Sequence, residues 1–269
     1  MIRDYNYTDI PTSIYCEHRV EDKVVSMHNV HYHDCNEIYY LVNGERNYLI
    51  DNKLYRIHAG DLVLIPKNIL HKTSAVTEKG YERFLINIYD ECLNDEVKEC
   101  FNNYCYHIPP KYNIEFIRLF GSIEKEYNEK DEFRQEMLKA KVYAMLVFLL
   151  RIKRKNLSIV YSDSYDERTE LFIQYICEHF SESITLQSVA DHFFLSKEYF
   201  SFIFKQKTGF GFNEYLNQLR ISRAMKLLEN TNESIINIAN KCGYSDSSYF
   251  TTVFKKISGV SPKNYRIKE

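Results

Sequence analysis

Two short runs in the last third of the chain carry side chains suited to contacting a polyanion and the groups it displays. Once the positions spaced for burial are set aside, Lys197, Glu198, Ser201, Phe202 and Lys205 point outward on one helical stretch. Ser247, Ser248, Thr251, Thr252 and Lys255 do so on a second. Hydroxyl, carboxylate and aromatic groups in a first helical turn can reach base edges, while lysines further along suit phosphates. Neither run offers an outward Arg, the residue that most often reads guanine. Thymine-methyl contacts by Phe202 and threonine, together with duplex shape, are therefore expected, with an A·T-leaning site. A second group of chemistry-bearing residues lies near the N-terminus, where a strand period of two puts His31 and His33 on one face. Nothing elsewhere suggests nucleophilic or phosphate-transfer chemistry: there is no P-loop and no nucleophile elbow, and His107, His179 and His192 stand isolated. The seven cysteines (16, 35, 92, 100, 105, 177, 242) form no CxxC and no zinc-finger spacing.

The elements that must position the two outward runs are nearly copies of each other. Ser196-Lys-Glu-Tyr199-Phe200-Ser-Phe-Ile-Phe204-Lys205-Gln-Lys-Thr-Gly209 is echoed by Asp246-Ser-Ser-Tyr249-Phe250-Thr-Thr-Val-Phe254-Lys255-Lys-Ile-Ser-Gly259. Such a period marks a duplicated supersecondary unit. Ser196, Asp246 and Ser261 are N-cap candidates, Pro262 suits a first helical position, and Gly209 and Gly259 stop their helices. Leu186, Val189 and Ala190 form the inner face of the helix before the first run, and Phe200, Ile203 and Phe204 that of the run itself. Ile235, Ile238 and Ala239, then Phe250, Val253 and Phe254, are their counterparts. Ala190 and Ala239 let paired helices approach closely, as a helix-turn-helix requires. Helices are expected at about 168–181, 185–193, 196–208, 211–230, 234–242, 246–258 and 261–267.

The first 108 residues read as strands. Glu37-Ile-Tyr-Tyr-Leu-Val42, Asn47-Tyr-Leu-Ile50, Asp61-Leu-Val-Leu-Ile65 and Arg83-Phe-Leu-Ile-Asn-Ile88 are separated by Asn43-Gly44, Asp51-Asn52, Ala59-Gly60 and Lys79-Gly80. Many short strands at close spacing favour a sandwich or barrel. After Pro109-Pro110 the period becomes helical through Ile114, Ile117, Phe120 and Ile123 or Glu124. A second helix is expected over about 131–155, capped by Asp131, with Met137, Leu138, Val142, Met145, Leu146 and Leu149 on its apolar face. That face exceeds what one partner needs. It pairs with its twin in a second subunit, giving a homodimer, or packs on the barrel. Residues 157–167 lack helical period and read as a linker. The division is thus 1–108, 109–156, 157–167 and 168–269: a multi-domain α+β protein with a β-barrel and helical hairpin followed by an all-α tandem helix-turn-helix domain.

At 269 residues there is room for two cores. Net charge is only −2, but residues 197–269 carry +6 and the remainder −8, the footprint of a polyanion partner. No secretory signal and no bilayer-length apolar run are visible, so a cytoplasmic protein with reduced thiols and no membrane association is expected.

Residues 168–269 resemble the DNA-binding domain of the AraC/XylS family of transcription regulators. The resemblance is carried by Ala190, Leu195-Ser196, Tyr199-Phe200, Phe204-Lys205, Gly209, Tyr215-Leu216, Leu219-Arg220, Ala224 and Leu227-Leu228. It continues through Ile238-Ala239, Gly243-Tyr244, Ser248-Tyr249-Phe250, Phe254-Lys255, Gly259-Val-Ser-Pro262 and Tyr265-Arg266. It implies that a long helix near 211–230 holds two recognition helices on one face of promoter DNA, that the outward residues and Arg266 contact it, and that Arg220 and Arg223 are either structural or phosphate-facing. It also implies a sequence-specific activator that works through RNA polymerase. His31-Tyr-His33-Asp-Cys-Asn-Glu37 with Gly44, then Gly60 to Pro66 and His71, resembles the two cupin motifs, with Asn68 and Ala75 departing from the second. In metal-dependent cupin enzymes the positions of His31, His33, Glu37 and His71 bind a divalent metal, and that set suits Fe, Mn, Ni or Zn. In regulators a metal-free pocket of the same groups, with Tyr39 and Tyr48, would bind a small polar effector such as a sugar and require no cofactor. Enzyme, metal sensor and effector-binding regulator thus remain the alternatives, and the regulator accounts for both halves of the chain.

Overall fold

The computed structural model describes residues 13–23, 31–51, 53–76, 79–155 and 167–267. Alternating side chains build its first half. Strands β1 (Ile14–Glu21), β2 (Asn36–Asn43), β3 (Glu45–Ile50), β4 (Lys53–His58), β5 (Asp61–Ile65), β6 (His71–Ala75), β7 (Tyr81–Ile88) and β8 (Cys105–His107) form two antiparallel sheets. One sheet runs β1-β7-β2-β5-β8, the other β4-β3-β6. Gly44 turns β2 into β3 at φ +95°, where a Cβ would lie 2.9 Å from the Gly80 carbonyl oxygen, so the position requires glycine.

Because strand side chains alternate, each sheet serves two layers. From the five-stranded sheet, Ile38, Tyr40, Leu62, Leu64, Phe84, Ile86 and Ile88 face a helical layer, whereas Tyr39, Leu41, Val63, Ile65 and Leu85 face the other sheet. From the three-stranded sheet, Tyr48 and Ile50 point inward, while Leu49 and Leu54, with Leu70 just before β6, join the core of the C-terminal helices.

The helical layer consists of α1 (Asp95–Lys98), α2 (Pro110–Asn128) and α3 (Arg134–Lys153). Two expectations are corrected here. Asp131 does not cap α3: Phe133 occupies the N-cap, and the Asp131 carboxylate accepts from the Phe133 amide at 2.8 Å, forming a turn ahead of the helix. The apolar face of α3 is also not in surplus. Leu138, Val142, Met145, Leu146, Leu149 and Ile152 are all buried against the sheet and its neighbouring helices, leaving Met137 exposed.

The second half contains α4 (Glu167–His179), α5 (Leu186–His192), α6 (Lys197–Thr208), α7 (Phe212–Asn230), α8 (Ile235–Lys241), α9 (Ser247–Ser258) and α10 (Pro262–Ile267). Of the expected linker, residues 157–166 lie outside the described residues and Glu167 opens α4. The duplication extends to individual hydrogen bonds. Ser196 Oγ accepts from the Tyr199 amide at 3.2 Å, and Asp246 Oδ1 accepts from the Ser248 and Tyr249 amides at 2.7 and 3.3 Å. Gly209 and Gly259 end α6 and α9 in the left-handed region, with amides donating to the Lys205 and Lys255 carbonyls. The turns into α6 and α9 match too: Leu195 and Tyr244 donate to the Ala190 and Ala239 carbonyls at 2.9 and 3.0 Å. At the equivalent turn positions Gly243 adopts φ +81° but Phe194 adopts φ +56°, so the first copy carries strain that the second relieves with glycine.

Candidate DNA-reading faces and effector cluster

Helix capping and burial together decide what α6 and α9 present. Phe200 and Phe204 on α6, and Phe250, Val253 and Phe254 on α9, anchor one side of each helix in the core. The opposite sides expose Lys197, Glu198, Ser201, Phe202 and Lys205, then Ser248, Thr252 and Lys255, with Ser247 and Thr251 half-buried at the edge. Thr251 and Thr252 donate their hydroxyl hydrogens to the Ser247 and Ser248 carbonyls, so each offers outward a methyl group and an oxygen lone pair. Phe202 is 61% exposed and puts an apolar ring on the outward face of α6. Tyr199 and Tyr249 are also about half-exposed at matching positions, and their repeated placement in the two runs was the available sequence signal.

Two arginines have structural engagements. Arg220 donates to the Phe180 and Glu182 carbonyls, both at 2.7 Å, fixing the α4–α5 connection, whereas Arg223 is exposed. Arg266 donates to the Glu233 carbonyl at 2.6 Å, so its guanidinium braces the loop before α8.

The sheets gather the second site. His31 and His71 form an antiparallel bridge, with amide–carbonyl distances of 3.2 and 3.0 Å, and their rings meet edge-on at 4.3 Å. The His33 ring lies 4.9 Å from that of His71. Glu37, 2% exposed on β2, is the hub: Tyr48 OH donates to Oε1 at 2.7 Å, while His33 Nε2 and His71 Nε2 lie 3.2 and 3.5 Å from Oε2. His33 and His71 direct Nδ1 to the Cys35 and Ile69 carbonyls, which fixes Nδ1 as the donor and turns Nε2 toward the cluster.

Burial alone would lower the His33 imidazole, but its bonds to Cys35 and Glu37 outweigh that and raise it to about 10. Glu37 shows the mirror image: desolvation would raise it, yet His71 and His33 hold it well below the ordinary carboxylate range. Burial, then Glu37, keep the Tyr48 phenol protonated and available to donate. Tyr39 lies edge-on to Tyr48 at 5.3 Å.

All six effector candidates, His31, His33, Glu37, Tyr39, Tyr48 and His71, therefore fall in one region between the sheets. Sequence reasoning missed several polar residues that share it. Asn87 pairs in register with Glu37, and Arg83 donates to Glu17 at 2.6 Å while lying 5.7 Å from the Tyr39 ring centroid. Arg46 donates to Thr73 at 3.0 Å and covers the Tyr81 ring at 4.3 Å. Their signal was alternation: Arg46 is two residues before Tyr48, and Arg83, Leu85 and Asn87 share one face of β7. Several polar atoms here are buried without a hydrogen-bond partner among the described residues: Tyr39 OH, Asn87 Nδ2 and Oδ1, and Arg83 Nη1.

Residues 21–146 match the AraC-like ligand binding domain family, and residues 189–268 match a helix-turn-helix domain family. An HTH-type transcriptional activator, RhaR of Mannheimia succiniciproducens, is 26% identical over 242 residues, spanning 88% of this chain and 86% of that protein. The regulatory protein PocR of Salmonella typhimurium is 39% identical over 102 residues, spanning 38% of this chain and 34% of that protein. Among solved structures, apo ToxT of Vibrio cholerae is 17% identical, spans 95% of this chain and 97% of its own, and has a TM-score of 0.41. These families and relatives are those of a transcription regulator rather than an enzyme. The chain thus joins an AraC-like ligand-binding domain to a helix-turn-helix domain, the arrangement of an AraC-type DNA-binding transcription regulator.

Proposed function

We propose that the protein is a cytoplasmic activator whose inter-sheet cluster binds a small polar effector of the sugar class. The supporting observation is the convergence of Glu37, His33, His71 and Tyr48 with the unpartnered Tyr39 hydroxyl and Asn87 amide. Buried polar atoms left without partners are costly, and a polyhydroxy ring supplies both the donors and the acceptors they lack. Tyr39 and Tyr48 offer aromatic faces to such a ring. Activation is supported by the name of the relative RhaR, which is called a transcriptional activator. Contact with RNA polymerase at the promoter is part of that reading. The sensor spans 1–108, the helical pair 109–156 and the DNA-binding domain 168–269. A homodimer would use the residual apolar positions Ile114, Ile117, Phe133 and Met137, because the main face of α3 is already covered. A thermal-shift screen of neutral sugars, sugar acids and polyols tests the effector. The expected hit stabilises the wild type but not Tyr39→Phe or Glu37→Gln; a hit indifferent to both substitutions overturns the assignment.

A metal-sensing reading has its own supporting observation. His31, His33, Glu37 and His71 each offer a ligand atom within 4.8 Å of the others, and the carbonyl-bound Nδ1 atoms of His33 and His71 leave Nε2 as the ligating nitrogen. The residues fit a borderline divalent ion of the Fe, Mn, Ni or Zn type, which would supply a fixed positive charge against Glu37. Zinc or nickel should then raise the melting temperature of the wild type and not of His71→Ala; no shift with either ion excludes this reading.

A further inference from the structure

The same alternation that points histidines into the cluster points their neighbours at the DNA-binding domain. Tyr32, between His31 and His33, faces outward: its hydroxyl donates to the Ser258 carbonyl at 2.9 Å, and its ring lies 6.1 Å from Tyr265, edge-on. Ser258 ends α9, the second recognition helix. Lys72 follows His71 on β6 and also faces outward, with Nζ 2.9 Å from Glu214 Oε1 on α7 and 4.5 Å over the Phe210 ring. Asn47, one residue before Tyr48, donates to the Lys207 carbonyl at 3.4 Å near the end of α6. Asp51 at the end of β3 meets Lys226 of α7 at 2.8 and 3.1 Å.

These contacts reach both helix-turn-helix units and the helix between them. The Tyr32 and Asn47 contacts fall at the C-terminal ends of α9 and α6, away from Lys197, Glu198 and Ser248 of the first turns, which are exposed, while the Lys72 and Asp51 contacts fall on α7. The contacts are unequal. The Lys226–Asp51 pair is partly exposed and screened, so it contributes little. The Lys72 side chain is only 5% exposed, and Tyr32 is bonded to a helix end, so these two hold the geometry. Tyr32, Asn47 and Lys72 are each covalently next to a cluster residue, whereas Asp51 lies three residues beyond Tyr48. A rotation of the 31–33 segment that moves His31 and His33 inward therefore moves Tyr32 at Ser258.

We propose that Tyr32 is a positioning residue that relays the state of the His31–His33–Glu37–His71 cluster to the end of the second recognition helix, with Lys72 setting the same sheet against the first unit. The relay rests on the cluster being the effector site. It predicts that a change confined to the cluster alters duplex affinity only while Tyr32 can hold Ser258.

The test uses the full chain and a duplex selected by the wild type from a random pool. Affinity is measured for wild type, Glu37→Gln, Tyr32→Phe and the double variant, with Tyr48→Phe as a second cluster change should Glu37→Gln fail to fold. The cluster variant is expected to shift duplex affinity by about fivefold when Tyr32 is present, the scale of one hydrogen bond, and by much less in Tyr32→Phe. Equal shifts in both backgrounds, or no shift from either cluster variant, overturn the relay. Hydrogen exchange gives a DNA-independent arm: amides of 258–265 should exchange about fivefold faster in Tyr32→Phe and be loosened by the cluster variant. Unchanged exchange in every variant also overturns it. If no duplex is bound while exchange responds as stated, the relay stands and the DNA-binding reading fails separately.

Discussion

Replacing Gly209 by alanine should disturb the seam between sheet and helices far more than the same change at its repeat-equivalent, Gly259. Both glycines end a recognition helix in the left-handed region, at φ +79° and +76°. An L-residue costs roughly 1–2 kcal/mol there, and Gly259→Ala meets nothing else within 4 Å. At Gly209 the new Cβ would lie 2.3 Å from Ser74 Oγ and 2.7 Å from Ser74 Cβ. Rotating the Ser74 hydroxyl removes the first clash but not the second, so β6 and the α6–α7 turn must separate. Overpacking of this kind costs about 1–3 kcal/mol, making the total for Gly209→Ala about 2–5 kcal/mol. Calorimetric melting of the full chain checks the difference, and Ser74→Gly provides the control. It should restore most of the excess loss in Gly209→Ala and none in Gly259→Ala, a coupling of about 1–3 kcal/mol in the double-mutant cycle. Equal losses at the two glycines, or no rescue by Ser74→Gly, would refute the packing of the sheet against the first unit.

Lys205→Ala and Lys255→Ala should each lower the salt dependence of duplex binding by about one unit of slope while leaving sequence preference intact, as measured by anisotropy titrations across a salt series. Phe202→Ala should do the reverse, relaxing preference at an A·T position with an unchanged slope; recovery of a G-rich operator by in vitro selection contradicts the thymine-methyl assignment. The His33–Glu37 pair predicts a stability profile for chelator-treated protein. His33, raised from 6.5 to about 10, stabilises fully below pH 6.5 and loses that contribution as pH climbs toward 10; Glu37, held low, stabilises above its ordinary 4.5 and loses it on acidification. The melting temperature should therefore fall more steeply between pH 6.5 and 9.5 in the wild type than in His33→Gln, and parallel slopes would count against the buried pair.

The helical half was legible because its signals are local and duplicated. Ser196, Asp246, Gly209 and Gly259 mark helix ends by chemistry that needs no tertiary context, and the aromatic spacing of Phe200-Phe204 and Phe250-Phe254 repeats. The β half was legible only where strands are apolar on both faces, as in β2, β3, β5 and β7. Strands β1 (Ile14–Glu21), β4 (Lys53–His58), β6 (His71–Ala75) and β8 (Cys105–His107) were missed; β1 and β6 carry Glu17 and Lys72, whose partners Arg83 and Glu214 are distant in sequence. The same reason hid Arg46, Arg83 and Asn87. Each looks like a solvated residue until the second sheet closes over it. The cluster itself was visible as a motif, but its link to the helices through Tyr32 depends on a contact with Ser258 that no local pattern encodes.

A footprint of the full chain on its selected duplex tests the central claim most directly. Two recognition helices held by α7 should protect two major-groove segments about one helical turn, roughly 10 base pairs, apart on one face of the DNA. Phe202→Ala should relax sequence preference at a position in one segment and Thr252→Ala at a position in the other. A single protected segment, or both substitutions acting on the same bases, would contradict the account.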